Sequence, residues 1–290
     1  LSEGRRWLER ALTMSDSLPI ELRAKALFEA GALAHQQGDP ERHRVLQEAS
    51  LTLYQHLEDP SGIAAVLNGL GNPEPGSARG RELHEESLRL YREQGDLHGI
   101  AKVLLNLGAD VKAQGDDEQA QTLWEESLQL SRQLGDVTLI GYALIHLGYH
   151  ASTQKDPARA AAYFKESLAL FYQLKDRHLI ASCFSELAAV SAQEQPVRAV
   201  RLYGAARTLY HTTGVILSSK EQADDERNQS IARALIGDAA FAAAWAEGQA
   251  MTLDQAIAYA LENTGETDGV VLDAKGAMQD HMSRLENEQS

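Results

Sequence analysis

Cysteine, positive charge and long apolar runs are what this sequence has least of. Cys183 is the lone cysteine in 290 residues. No disulfide can form within the chain, and a reducing, cytoplasmic setting is the expectation. No apolar run reaches the length of about 18 residues that a membrane-spanning helix needs, and no basic-then-apolar leader opens the chain. Lys and Arg number 27 against 42 Asp and Glu, a formal charge of −15. Most of such a surface repels a phosphate backbone, so nucleic acid is excluded as a partner of this segment, and a membrane surface is not expected either. The charge serves solubility or a basic partner.

What the sequence does have is a phrase that returns four times. It reads Glu48-Ala49-Ser50-Leu51, then Glu86-Ser87-Leu88, Glu126-Ser127-Leu128 and Glu166-Ser167-Leu168. The serines are 37, 40 and 40 residues apart. A period in this range marks a solenoid, whose units bury their apolar faces only against one another. Within each unit the apolar residues follow two helical stripes. Ile100, Val103, Leu104, Leu107 and Val111 lie on the first; Ala120, Leu123, Trp124, Ser127 and Leu128 lie on the second. Gly115-Asp116 and Gly135-Asp136 punctuate them, as do Gly38-Asp39, Gly95-Asp96, Lys155-Asp156 and Lys175-Asp176. Glycine suits the left-handed position that closes one helix, and aspartate suits the cap that opens the next.

Position by position the pattern resembles the tetratricopeptide repeat. Its large-Leu-small signature reads Leu104, Leu107, Gly108 in the third unit, followed by Ala120, Trp124, Ser127. The fourth unit gives Leu144, Leu147, Gly148, then Ala160, Phe164, Ser167, and the fifth begins Phe184, Leu187, Ala188. In the first, Leu27 and Gly31 fit, but His43 and Gln47 stand where small and aromatic residues belong. Units of 40 residues are longer than the usual 34 of that family. The second unit is short: Gly71 and Ser87 are 16 apart, whereas Gly108–Ser127 and Gly148–Ser167 are 19 apart. Pro73 and Pro75 cannot continue a helix interior, so its first helix is expected to stop near Gly71. The result is either a tolerated surface deletion or a dent in the groove that admits a partner.

After residue 195 the pattern changes. Helices are expected over Pro196–Thr212, from the capping-box spacing Ser219–Gln222 to Ile236, over Phe241–Gly248, and from a second box, Thr252–Gln255, to Leu261. The phrases Phe241-Ala-Ala-Ala-Trp-Ala-Glu-Gly248 and Ala199-Val-Arg-Leu-Tyr-Gly-Ala-Ala206 resemble the closing segment of large bacterial regulators. Those proteins join a signal-transduction ATPase to a tetratricopeptide array, often with a LuxR-type DNA-binding module. The resemblance implies that ATPase and DNA-binding modules lie elsewhere on a longer chain, of which this piece, opening at Leu1 within a repeat, is the sensor arm. The expected organisation is a right-handed all-α superhelix over residues 1–212 with about five helix pairs. Capping helices over 213–262 and a polar tail over 263–290, with one short helix over 275–287, complete it.

In such arrays the first helices line the inner groove. Aligned on the small residue, they place Lys25, Phe28 and Glu29; Asn68; Lys102 and Asn106; Tyr142, His146 and Tyr149; and Ser182, Ser185 and Glu186 there. An amide both donates and accepts, so Asn68 and Asn106 suit the backbone of an extended peptide, and Lys25 and Lys102 suit a carboxylate. The expected partner is a protein or peptide, other modules of the same chain included. A small-molecule or short-peptide receptor is the alternative, which an aromatic pocket around Phe28, Tyr142 and Tyr149 favours. An all-helical enzyme is more remote. Adjacent carboxylates such as Glu85-Glu86 and Glu125-Glu126 point about 100° apart on a helix and do not converge as an acid/base pair. His43, His84 and His98 lack the i+4 partners of a helical metal site, so no metal or cofactor is expected. Cys183 reads as core. Trp124 and Phe164 fill the space between helices. Truncating either to Ala is expected to cost ~3–5 kcal/mol, read by urea denaturation; an unchanged midpoint contradicts the alignment.

Overall fold

The computed structural model describes residues 19–72, 76–214, 217 and 219–262, the side chains of 219 and 220 excepted. Outside them lie the start of the first unit, the Pro73–Pro75 break, part of the loop before residue 219, the side-chain half of the first capping box, and the whole 263–290 tail. The described residues form thirteen α-helices and no strand. Five successive pairs are α1 (Ile20–Gln36) with α2 (Pro40–His56), α3 (Pro60–Gly71) with α4 (Ala78–Gln94), α5 (Leu97–Ala113) with α6 (Asp117–Leu134), α7 (Val137–Thr153) with α8 (Pro157–Leu174), and α9 (Arg177–Ser191) with α10 (Pro196–Thr213). Three further helices follow: α11 (Ser219–Ile236), α12 (Asp238–Ala250) and α13 (Leu253–Leu261). The chain divides into two compact units, Leu1–Leu139 and Ile140–Ser290.

The helix boundaries follow from the punctuation. Asp39, Asp59, Asp96, Asp116, Asp156 and Asp176 each accept a hydrogen bond from a backbone N–H in the first turn of the helix they open. That pairs donors which no helical carbonyl can reach. Gly95 and Gly135 close helices in the left-handed conformation, and Lys155 and Lys175 adopt it too, at φ 61° and 56°. Thr252 and Gln255 form the full reciprocal capping box at the start of α13.

Two contacts recur inside the pairs. The serine of the repeated phrase is wholly buried and donates to a carbonyl on the first helix of its own pair. Ser50 Oγ reaches Ala24 O at 2.8 Å, Ser87 reaches Ala64 at 2.7 Å, Ser127 reaches Ala101 at 2.7 Å and Ser167 reaches Gly141 at 3.0 Å. Three residues earlier, a larger side chain lies on the small residue of the first helix: Gln47 on Gly31, His84 on Gly71, Trp124 on Gly108 and Phe164 on Gly148. A Cβ at Gly148 would stand 2.5 Å from Phe164 Cε1, and one at Gly108 would meet Trp124 Nε1 closer still. Trp124 Nε1 donates to Leu105 O at 3.1 Å. The serine is therefore more than a small residue: it is a buried donor that fixes the register of each of the first four pairs.

The short unit is repaired by polar contacts. Helix α3 ends at Gly71, three to five residues before its counterparts when aligned on the small residue. His84, standing where Trp124 and Phe164 stand elsewhere, directs Nδ1 to Asp110 Oδ2 at 2.6 Å and Nε2 to Asn68 O and Asn72 Oδ1 at 3.2 Å. The other carboxylate oxygen of Asp110 accepts from Gly76 N at 2.8 Å. His84 and Asp110 are both about 1% exposed.

In the second unit, Phe164, Phe171, Phe184, Leu202 and Tyr203 share one core with Ile257 and Leu261 of α13. Helices α10 and α12 approach backbone to backbone: a Cβ at Gly204 would lie 2.5 Å from Trp245 O, and one at Gly248 would collide with Arg201 O. Glycine is required at both because no side chain can turn away from a carbonyl at that range. Arg198 donates to Ala260 O at 2.9 Å, and Lys165 Nζ to Glu262 O at 2.9 Å, closing the C-terminal end of α13.

Gly108→Ala is expected to cost ~1–3 kcal/mol by overpacking on Trp124. His84→Ala leaves the Asp110 carboxylate buried without its partner and is expected to cost ~3–5 kcal/mol in urea unfolding. Wild-type midpoints for both would overturn the packing account.

Candidate functional site

The residues that the sequence placed in a groove fall in both units. In the first unit, the first helices of consecutive pairs touch, α1 with α3 and α3 with α5. Lys25 and Lys102 are exposed on α1 and α5. Phe28 is half-buried, and its carbonyl accepts from Gln47 Nε2 at 3.3 Å. Asn68 is 4% exposed, and Asn106 Nδ2 donates to its side-chain oxygen at 2.9 Å. The two amides proposed from sequence as peptide hooks are thus brought together. They link α3 to α5, with Asn106 the more accessible of the two.

In the second unit, Tyr142, His146 and Tyr149 succeed one another at i, i+4 and i+7 on α7, which places them on one face. Tyr142 and Tyr149 keep 38% and 43% of their surface exposed. Each rests edge-on against a core ring: Tyr142 on Phe171 at 5.8 Å, Tyr149 on Phe164 at 5.7 Å. Burial pushes the Tyr142 hydroxyl up, with Asp176 adding to it. Burial pushes the half-buried His146 imidazole down to about 4.

Tyr149 reaches further. Its Oη donates to Glu186 Oε1 on α9 at 2.8 Å. Desolvation, followed by the field of Glu186, raises the Tyr149 pKa strongly. Burial pushes the Glu186 carboxyl up to about 7, and the carboxylates of Asp225, Glu221 and Asp224 on α11 reinforce the shift. Asp225 is pushed up to about 6 by burial and then by Glu221 and Asp224, with Arg207 of α10 opposing. Tyr203 and Tyr210 of α10 feel the same carboxylates. An acidic cluster lined with tyrosines therefore forms where α7, α9, α10 and α11 meet. Sequence reasoning found Tyr149, Ser185 and Glu186 but missed the contribution of α11, which it gave only as a capping helix. The signal available was the 221, 224, 225 spacing, which puts three carboxylates on one helical face.

Other titratable groups are structural. Cys183 is wholly buried, and burial pushes its thiol up to about 12, consistent with core and against a nucleophile. His43 sets Nδ1 on Gly31 O at 2.9 Å and Nε2 on Gly69 O at 3.1 Å, bridging α1 and α3. Among the described residues, no group of three or more His, Cys, Asp or Glu side chains has the geometry to hold a metal ion, and no helix is long and apolar enough to cross a membrane.

Residues 99–173 match the family model described as tetratricopeptide repeat. That segment holds the pairs α5–α6 and α7–α8, and the other helix pairs continue it as a tetratricopeptide-like helical array. Two solved structures share its fold. One is BtubC (BKLC) from P. vanneervenii, 18% identical with a TM-score of 0.51 over 94% of this chain and 96% of that one. The other is a signal transduction ATPase with numerous domains (STAND) protein with a tetratricopeptide repeat sensor, from Pyrococcus horikoshii. It is 12% identical with a TM-score of 0.56, over 84% of this chain and 38% of that one. No curated protein sequence matches the chain.

The raised carboxyls fix a pH dependence. Folded chains hold protons on Glu186 and Asp225 that unfolded chains have already released, so this contribution to stability falls as pH rises from the ordinary carboxylate range to about 7. His146, depressed to about 4, slopes the other way below its ordinary value of 6.5. The comparison is therefore best made by difference. Glu186→Gln is expected to gain stability over wild type as pH climbs from about 5 to 8, in chemical denaturation at several pH values. Parallel curves contradict the assignment.

Proposed function

We propose that this chain is a non-catalytic recognition arm that captures a protein or peptide in the groove lined by its first helices, serving as the sensor of a bacterial transcriptional or signalling regulator in the cytoplasm. The observation that carries this reading is a division of labour. One stripe of each first helix is spent on the serine and small-residue contacts. One residue on, Lys25, Lys102, Tyr142 and Tyr149 stay exposed, although none of the recurring contacts uses them. The STAND protein from Pyrococcus horikoshii, whose tetratricopeptide repeats are a sensor, supports the sensor role by likeness of fold. In this reading residues 1–212 are the array and 213–262 its cap, which the packing of α13 on the core of α8–α10 supports. Capture acts by favouring the state of the regulator in which the face is occupied, so the partner must bind one state better than the other.

A second reading, a receptor for a small molecule or short peptide, is favoured by the Tyr149–Glu186 cluster. An enzyme is the more remote reading.

The test is retention of partners by the immobilised chain, using the remaining modules of its parent protein and a lysate of the source organism. Lys102→Glu and Asn106→Ala are expected to lose a partner that wild type retains. Arg89→Glu, which is exposed on the second helix α4, is expected to keep it. Retention by all three variants would overturn the groove reading.

A further inference from the structure

We propose that α1 carries a docking surface for this chain's own residues 4–18: the stripe Leu22, Ala26, Glu29 and Leu33 receives them as a second helix of the kind that α2, α4, α6 and α8 are. The inference goes beyond the recognition reading. It rests on the register of the repeat and uses neither Lys102 nor Asn106.

Three observations carry it. First, the stripe is open on α1 and covered on the later first helices. Its residues are spaced i, i+4, i+7 and i+11, which is one helical face. Leu22 is 54% exposed, whereas Leu139 and Leu179 in the same place are 7% and 9% exposed, and Gly62 and Gly99 are buried. Ala26 is half-buried, whereas Val66, Val103, Ala143 and Cys183 are wholly buried. Glu29 is exposed, whereas Gly69, Asn106, His146 and Glu186 are half-buried. Leu33 is half-buried, whereas Asp110 and His150 are buried.

Second, where the stripe is covered in the first unit, the second helix of the preceding pair covers it. A Cβ at Gly62 of α3 would meet the ring of Tyr54 on α2, and one at Gly99 of α5 the ring of Tyr91 on α4. His43 of α2 directs Nε2 to Gly69 O at 3.1 Å, and His84 of α4 directs Nδ1 to Asp110 Oδ2 at 2.6 Å. Each contact joins a fixed place on a second helix to a fixed place on the stripe. Among the described residues no helix precedes α1.

Third, residues 4–18 carry the pattern of the covering helices. Gly4, Leu8, Ala11 and Ser15 have the spacing of His43, Gln47, Ser50 and Tyr54, which recurs in Gly80, His84, Ser87 and Tyr91. Of those eight counterparts all but Tyr54 are buried, and Tyr54 is half-buried. The run Ala11-Leu12-Thr13-Met14 also parallels Ser50-Leu51-Thr52-Leu53. Carried over, the register sets Leu8 against Leu33, as His84 meets Asp110, and Ser15 against Leu22, as Tyr54 meets Gly62. The first pair is apolar on both sides. In the second, the bulk that Tyr54 supplies from the covering helix comes instead from Leu22 on the covered one, which conserves volume across the contact. Ala11 and Leu22 are 11 positions apart, one fewer than Ser50 and Gly62 or Ser87 and Gly99. So short a tether holds residues 4–18 beside α1 at high effective concentration, which favours them over a second copy or another protein. With the stripe filled from within, this end of the array offers no open apolar edge, and recognition is left to the groove.

The test is hydrogen–deuterium exchange of the whole chain, read by mass spectrometry. Leu8→Asp is expected to speed exchange of the α1 amides ~10–100-fold, the worth of one buried leucine, while α5 to α8 stay protected. Arg6→Asp is expected to leave α1 as in wild type, because its counterparts Val45, Glu82, Thr122 and Ala162 are all exposed. The occupant is identified by oxidising two cysteine pairs of nearly equal separation in sequence. Leu8→Cys with Leu33→Cys is expected to form a disulfide within one chain, in higher yield than Arg6→Cys with Leu33→Cys. Cys183 is wholly buried and takes no part. Wild-type exchange of α1 in Leu8→Asp, equal acceleration by Leu8→Asp and Arg6→Asp, equal yields from the two cysteine pairs, or a disulfide that joins two chains and so seats a second copy on the stripe would each overturn the proposal. Retention of the partner that depends on Lys102 is read separately, so failure of the docking surface is distinguishable from failure of the groove.

Discussion

A serine hydroxyl that donates to a backbone carbonyl on the facing helix is the contact on which the first four helix pairs depend. Ser50, Ser87, Ser127 and Ser167 all make it, and all are wholly buried. The accepting carbonyls lie within helices, where one lone pair is already used along the axis and the second is open. The bond works only if the two helices approach closely, and the glycines at 31, 71, 108 and 148 permit that approach. Serine is thus small enough for the contact and polar enough to orient it. Alanine would meet only the first need.

Close approach on one side sets what can stand on the other. The residue three before each serine must cover a glycine, and four different side chains do so. Trp124 and Phe164 bring apolar area. Gln47 and His84 bring hydrogen bonds, and each is matched to carbonyls left within reach. The deletion in the second unit is survivable because His84 and Asp110 replace an aromatic filler with a buried polar pair that also takes up Gly76.

Much of this was legible in the sequence, for identifiable reasons. Helix period, the Gly-Asp punctuation and the recurring Glu-Ser-Leu phrase are local, and local signals survive without knowledge of the fold. They placed α5, α6 and the early stop of α3 within a residue or so. The serine was read only as small, because a donor inside a helix gives no sign of its acceptor 26 residues away. The asparagine pair and the His84–Asp110 pair were missed for the same reason: each joins residues more than 20 positions apart. The acidic cluster needed still more. Glu186 was visible on a first helix, but Asp225 meets it only because α11 folds back beside α9 and α10, and nothing in the charge pattern of α11 announces that return.

The account rests on the serine bond being energetic as well as geometric. Its most direct test is the unfolding free energy, by urea denaturation followed by circular dichroism, of a chain with Ser50, Ser87, Ser127 and Ser167 all changed to Ala. Each substitution removes a buried hydrogen bond worth ~1 kcal/mol and regains part of that through the better helix propensity of alanine. The sites are far apart, so the losses add, and a total of ~2–4 kcal/mol with helix content retained is predicted. A quadruple variant as stable as wild type would contradict the account and leave the repeated phrase a matter of size alone.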